Sequence, residues 1–87
     1  MIDFLVVNQD LIKTLVAPYT IQRNLALQQH VPIFYDDIQN QYINAIKCVI
    51  VKALTQHCQV TTEEAYVFVE SFNVLDYLGV ERDNADT

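Results

Sequence analysis

The sequence predicts a small all-α protein, a helical bundle of three to four helices, and two observations carry this prediction. The chain has 87 residues, of which 52% are hydrophobic and only one is glycine, a composition typical of one folded domain. Apolar residues recur at intervals of three and four along most of its length, which is the spacing of one helical face. We therefore expect a single helical domain over residues 1–80, followed by an acidic, flexible tail over residues 81–87.

The first helix is predicted over residues 3–17, with Pro18 ending it. Its buried face is expected to comprise Phe4, Val7, Leu11, Ile12, Leu15 and Val16. An alternative makes residues 4–7 a short strand, because two of them are β-branched valines, and starts the helix after Asn8 as its N-cap. The helical interpretation is favoured because no second convincing strand exists to pair with the first.

A short second helix is predicted over residues 19–30, with Thr20 as its cap and with Ile21 and Leu25 facing inward. Pro32 is well placed at the entrance of the next helix, because the first helical turn leaves unused the N–H that proline lacks. The two prolines of the chain thus mark the two ends of this segment.

The longest helix is predicted over residues 33–58. One apolar stripe comprises Ile38, Tyr42, Ile46, Val49 and Ala53, and Ile43, Ile50 and Leu54 lie beside it. Only a narrow polar strip remains, so this helix is expected to be surrounded by its own chain or shared with a second chain. A chain of this size buries a modest share of its surface, and dimerisation is therefore one way to complete the bundle.

The last helix is predicted over residues 61–78. Thr61 and Glu64 have the spacing of a capping box, in which each side chain accepts a hydrogen bond from a free backbone N–H of the first turn. Gly79 is well placed to terminate the helix. The residues expected to face inward are Ala65, Phe68, Phe72, Leu75 and Leu78.

Charge is divided unevenly along the chain. Residues 1–59 carry four acidic and four basic side chains, whereas residues 60–87 carry seven acidic side chains and one arginine, so the whole net charge of −6 lies in the last third. An acidic segment repels a phosphate backbone, and direct binding of nucleic acid is not expected. A basic protein surface is the predicted partner, and a second copy of the chain is the other candidate.

The residue types needed for catalysis or metal binding are few and poorly spaced. The single glycine stands at a helix end, so a glycine-rich phosphate loop is absent from the sequence. His57 and Cys58 are adjacent and point about 100° apart on a helix, and no His or Cys pair has the spacing of helical metal ligands. We therefore predict a non-enzymatic protein with no cofactor and no metal. Cys48 and Cys58 are interpreted as small buried or half-buried residues.

Two further classes are disfavoured by the sequence. Residues 52–69 have the outline of a helix-turn-helix, but Glu63 and Glu64 occupy the first turn of its second helix, where a DNA-binding protein contacts bases and phosphates. No apolar run reaches the roughly 18 residues that a membrane span needs, and the N-terminus lacks the basic region of a secretory signal. The cytoplasm is the expected location.

The outward side of the last helix is the candidate binding site. Its residues are Tyr66, Glu70, Asn73 and Tyr77, which recur at intervals of four, three and four, with Glu63 and Asp76 completing the set. Tyrosine offers contact area together with a hydroxyl, and carboxylates suit a partner rich in Arg or Lys. The alternative is that the tyrosines cover neighbouring helices and that the acids only keep the protein soluble.

Two classes of function follow from these features. The first is a protein-binding regulator or inhibitor, of the antitoxin, immunity, phage or mobile-element accessory type, which covers a basic surface and could imitate nucleic-acid charge. The alternative is a structural or assembly subunit that self-associates through the apolar helix at residues 38–54.

Overall fold

The computed structural model describes residues 1–29 and 34–79 of the chain. They form five α-helices: α1 (Ile2–Val7), α2 (Gln9–Gln29), α3 (Tyr35–His57), α4 (Thr62–Glu70) and α5 (Val74–Leu78). No strand occurs in these residues, so the prediction of a small all-α bundle is confirmed and the alternative strand over residues 4–7 is wrong. Pro32 and the predicted tail lie outside the described residues.

α3 is the central helix of the bundle. α2 packs along it, α4 and α5 also pack against it, and α3 lies between α2 and α4. Its buried residues are Tyr42, Ile46, Ile50, Val51, Ala53 and Leu54, with Ile43 and Val49 partly buried. The apolar stripe of the longest predicted helix therefore forms the core of its own chain, except for Ile38, which is only partly buried and lies outside that core.

α2 does not end at Pro18, as the sequence predicted, but continues through it. The separate helix predicted over residues 19–30 is therefore the second half of α2. A proline in a helix interior removes one backbone hydrogen bond and costs about 3 kcal/mol. Packing against α3 on both sides of the proline offsets this cost, because Val16 is buried ahead of it. Beyond it, the Thr20 hydroxyl lies 2.6 Å from the Tyr42 hydroxyl, so Thr20 is a mid-helix residue and not a cap.

α1 and α2 carry apolar residues on two sides of the helix and not on one. The buried side comprises Leu5, Ile12 and Val16. The exposed side includes Val7, Leu11, Leu15, Ile21 and Leu25, all of which were predicted to face inward. The spacing of the apolar residues fits a helical face on both sides, so the sequence of this helix alone does not show which side is buried. Packing against α3 decides it.

The first helix, predicted as one element over residues 3–17, is interrupted at Asn8, where a short break separates α1 from α2. The Asn8 side-chain amide and the Asn8 backbone N–H both donate to the Phe4 carbonyl oxygen, each over 2.9 Å. The Asn8 carbonyl in turn accepts from the Ile12 N–H at 3.0 Å. These bonds carry the chain across the break in a nearly helical path, so the exposed sides of α1 and α2 are continuous.

The last predicted helix, residues 61–78, is in fact two helices. The Ser71 hydroxyl donates to the Phe68 carbonyl oxygen at 3.0 Å, and the Asn73 side chain accepts from the Asp76 N–H at 3.2 Å and begins α5. Serine and asparagine side chains compete with the helical ladder through such bonds, which accounts for the break. Gly79, at a φ of 69°, terminates α5 as predicted.

The interior of this C-terminal pair differs in part from the prediction. Ala65, Leu75 and Leu78 are buried as expected, Phe68 and Phe72 are only partly buried, and Val69 and Val74 are buried in addition. α4 and α5 are separate helices, so one helical face drawn over residues 61–78 does not describe which residues of each are buried.

The predicted capping box at the start of α4 is present, and its removal should be measurable. The Thr61 side chain accepts from the Glu64 N–H at 3.1 Å, and the Glu64 carboxylate accepts from the Thr61 N–H at 2.8 Å. Thr61→Ala should lower the free energy of unfolding by about 1 kcal/mol in urea denaturation. Thr62→Ala, one position inside the helix, is the matched control, and an equal loss in both variants would contradict the capping role.

Candidate interaction surface

The exposed side of α4 and the neighbouring turns of α3 form one continuous surface. We call it the α3–α4 face, and its residues are Lys47, Cys48, Glu63, Tyr66, Val67 and Glu70. The Tyr66 hydroxyl lies 3.8 Å from the Cys48 sulfur. Glu70 Oε1 lies 3.5 Å from Lys47 Nζ. Both contacts join α4 to α3, so the helix pair presents these side chains together.

An aromatic and an aliphatic side chain lie between the acids of this face. Tyr66 is 41% exposed and Val67 is 69% exposed, and neither packs into the core. Glu63 and Glu70 are exposed one turn before and one turn after them. The face therefore combines apolar contact area with carboxylates at both ends.

Among residues 1–29 and 34–79, the acids of the α3–α4 face are only weakly neutralised. Lys47 forms the ion pair with Glu70, but the Glu70 side chain is 67% exposed, and such surface pairs contribute little to stability. Glu64 has a structural role, because its carboxylate belongs to the capping box. Glu63 and most of the Glu70 carboxylate remain directed to solvent.

Three of the predicted site residues lie elsewhere and have partners within the chain. The Asn73 side chain caps α5 and also donates to an Asp76 carboxylate oxygen at 2.9 Å. The Tyr77 hydroxyl donates to the Leu5 carbonyl oxygen, and the Tyr77 carbonyl accepts from the Gln9 side chain. The break between α4 and α5 therefore divides the predicted stripe: Glu63, Tyr66 and Glu70 stay together, Asn73 and Asp76 bond each other at the start of α5, and Tyr77 contacts the start of the chain.

The two tyrosines of the predicted stripe also differ in their electrostatic surroundings. The hydrogen bond with Cys48 raises the pKa of the Tyr66 hydroxyl above its usual value near 10, and the Coulombic interaction with Cys48 adds to the effect. Burial alone raises the pKa of Tyr77. One hydroxyl thus interacts with an exposed side chain, and the other lies within the fold.

Cys48 and Cys58 are both free thiols. Cys58 is partly buried beside the core, as predicted, whereas Cys48 is exposed, which corrects the expectation for that residue.

The ring of His57 stacks on Phe4 with 5.5 Å between ring centres. Within the described part of the chain, no three His, Cys, Asp or Glu side chains are grouped closely enough to hold a metal ion. No helix in that part is both long and apolar enough to cross a membrane.

A groove between α2 and α3 was not anticipated from the sequence. It has a volume of about 650 Å³ and includes Tyr19, Arg23, Phe34, Asp37 and Tyr42 in its lining. The Arg23 guanidinium lies 4.6 Å from the centre of the Tyr42 ring and also bonds to Asn24. These contacts hold the arginine against the protein, and they account for its position without a ligand.

The apolar exposed side of α1 and α2 was also missed as a surface. We call it the α2 outer stripe, and its residues are Val7, Leu11, Leu15, Pro18, Ile21 and Leu25. All six are exposed. Its residues have the helical spacing from which a buried face was predicted. Recognising them as a surface requires knowing that α3 covers the opposite side of α2.

Comparison of the chain with models of protein families, with curated proteins and with solved structures gave no match. Function is therefore inferred from the chemistry of the described surfaces. Two of these have features of contact surfaces: the acidic α3–α4 face and the uncharged α2 outer stripe.

Proposed function

We propose that the protein is a non-enzymatic binding module that covers a basic protein surface with its α3–α4 face and so acts as a regulator or inhibitor. The observation that supports this proposal most directly is the exposure of Tyr66 and Val67 between Glu63 and Glu70. A tyrosine in the middle of a contact surface with charged residues around it is the arrangement that commonly dominates binding energy at interfaces.

The charge of the face determines the kind of partner. Lys47 is the only basic side chain that forms an ion pair with these acids in the described part of the chain. A partner with Arg or Lys opposite Glu63 and Glu70 would be attracted over several ångströms and would bind more weakly as salt increases. Nucleic acid would be repelled by the same acids.

The proposal is tested by comparing two sets of substitutions in a pull-down from a lysate of the source cell. The triple variant Glu63→Gln, Tyr66→Ala, Glu70→Gln should lose the basic proteins that the unchanged protein captures, as read by mass spectrometry. Matched controls are Tyr19→Ala, since Tyr19 is 40% exposed against 41% for Tyr66, and the pair Asp36→Asn, Asp37→Asn. Equal capture by the triple variant and by the controls, with all variants folded, would contradict the proposal.

The alternative function, an assembly subunit, was expected to use residues 38–54 for self-association. Ile46, Ile50 and Leu54 in that segment are fully buried against the other helices of the same chain. A self-associating subunit therefore needs a different surface. The α2 outer stripe is the described surface with the most exposed aliphatic residues.

A further inference from the structure

We propose that a second copy of this chain covers the α2 outer stripe, in an antiparallel pairing whose two-fold axis passes near Pro18. This inference does not depend on the acidic α3–α4 face. It rests on the size of the stripe, on the arrangement of its residues about Pro18, and on its lack of charge.

The stripe is large for the surface of so small a chain. The exposed fractions are 80% for Val7, 44% for Leu11, 46% for Leu15, 59% for Ile21 and 50% for Leu25. Together they amount to roughly 500 Å² of apolar surface, near the upper end of the largest patch on a typical monomer. Two copies joined through the stripe would bury on the order of 1,000 Å², the area at which specific interfaces begin.

The apolar positions are arranged symmetrically about Pro18. Leu15 and Ile21 are three residues from Pro18 on either side, and Leu11 and Leu25 are seven residues from it. An antiparallel copy centred on Pro18 would therefore bring Leu11 of one helix to the level of Leu25 of the other. The levels of Leu15 and Ile21 would match in the same way, so these four aliphatic positions meet one another, whereas Val7 would lie at the level of Gln29. A surface that is complementary to itself under a two-fold rotation is what an isologous dimer requires.

The lack of charge on the α2 outer stripe also favours a second copy as its partner over a basic protein of the kind proposed for the α3–α4 face. Residues 14–22 contain no charged side chain, although the chain carries a net charge of −6. α3 separates α2 from α4. In the proposed pair the two α2 helices would therefore lie in the middle and the two acidic α4 helices on the outside, where their mutual repulsion is smallest. The α3–α4 face of each copy would stay accessible.

The first test is the oligomeric state of the full chain by sedimentation velocity over a range of concentrations up to high micromolar. We expect a monomer–dimer equilibrium, and the double variant Leu15→Gln, Ile21→Gln should raise its dissociation constant at least ~100-fold, because two apolar contacts are lost in each copy. Val67→Gln, at a position that is still more exposed but lies on α4, should leave the equilibrium unchanged. Circular dichroism verifies that each variant is folded. A monomer at every concentration, or a dimer that persists in the double variant, would overturn the proposal.

The second test addresses the geometry by cysteine trapping. In a background with Cys48→Ser and Cys58→Ala, Pro18→Cys should form a disulfide-linked dimer under mild oxidation, since the two-fold axis brings the two copies of position 18 together. Leu11→Cys should crosslink far less, because position 11 is matched with position 25. Preferential crosslinking at position 11 would overturn the antiparallel arrangement.

A monomer that binds vesicles of phosphatidylcholine and phosphatidylglycerol would assign the stripe to a lipid surface and reject the dimer.

Discussion

Leu54→Ala should lower the free energy of unfolding by roughly 3 to 5 kcal/mol, the largest effect we expect from a single substitution in this chain. Leu54 is fully buried in α3, the helix against which α2, α4 and α5 pack. The loss has two parts: the hydrophobic free energy of the removed carbon atoms, which are no longer buried, and the cost of the cavity that they leave. A domain of this length has a total stability of roughly 4 to 13 kcal/mol, so the loss removes about a quarter of the stability at the upper end of that range and all of it at the lower end.

The measurement is urea denaturation followed by circular dichroism, at one fixed protein concentration because dimerisation would add to the apparent stability. Val67→Ala is the control, since this side chain is 69% exposed and its truncation should change the free energy of unfolding by less than about 0.5 kcal/mol. Similar losses in the two variants would contradict the central position of α3.

Tyr77→Ala should cost about 3 kcal/mol of unfolding free energy, whereas Tyr66→Ala should cost less than about 0.5 kcal/mol. The Tyr77 ring lies 5.3 Å from the ring of Phe72, and its hydroxyl donates to the Leu5 carbonyl oxygen. Tyr66 has no comparable contact with the core, because its hydroxyl meets the exposed Cys48 and no core residue among those the structure describes. Thermal and urea denaturation of the two variants distinguish a structural tyrosine from a surface one.

Tyr77→Phe separates the hydroxyl from the ring. It should cost about 1 kcal/mol for the lost hydrogen bond. Burial raises the pKa of Tyr77 in the folded state, while the unfolded chain ionises near pH 10. The contribution of the neutral hydroxyl is therefore present in full below pH 10 and is lost as the pH rises through the folded-state pKa. The phenylalanine variant should lack this part of the alkaline loss of stability, and an unchanged alkaline profile would contradict the buried position of the hydroxyl.

Local signals in the sequence predicted the elements whose geometry is set by neighbouring residues. The capping box of Thr61 and Glu64, the termination at Gly79 and the length of α3 depend on hydrogen bonds and burial within a few turns, and all three are confirmed. Pro18 was misjudged for the opposite reason. Whether a helix continues through a proline depends on the free energy of packing that the continued helix gains, and here that packing is against α3.

The candidate site was predictable only where α4 remains one straight helix. Glu63, Tyr66 and Glu70 share a side of α4 as expected, and all three are exposed. Tyr77 has the same spacing in the sequence, but the hydrogen bonds of Ser71 and Asn73 end α4 before it and turn α5 toward Leu5. A helical stripe drawn across residues 71–73 therefore combined a surface residue with one that holds the fold together.

The contact of α5 with the beginning of the chain has a consequence for the order of assembly. Its two hydrogen bonds from Gln9 and to Leu5 join residues that are 68 and 72 positions apart. α2 with α3 and α3 with α4 are neighbours in sequence and close much shorter loops, so they lose less chain entropy when they form. α1 has six residues and α5 has five, and helices this short are not stable alone. We therefore expect the two ends of the described chain to become ordered together, after α2 and α3 have packed, and loss of either end to weaken the order of the other.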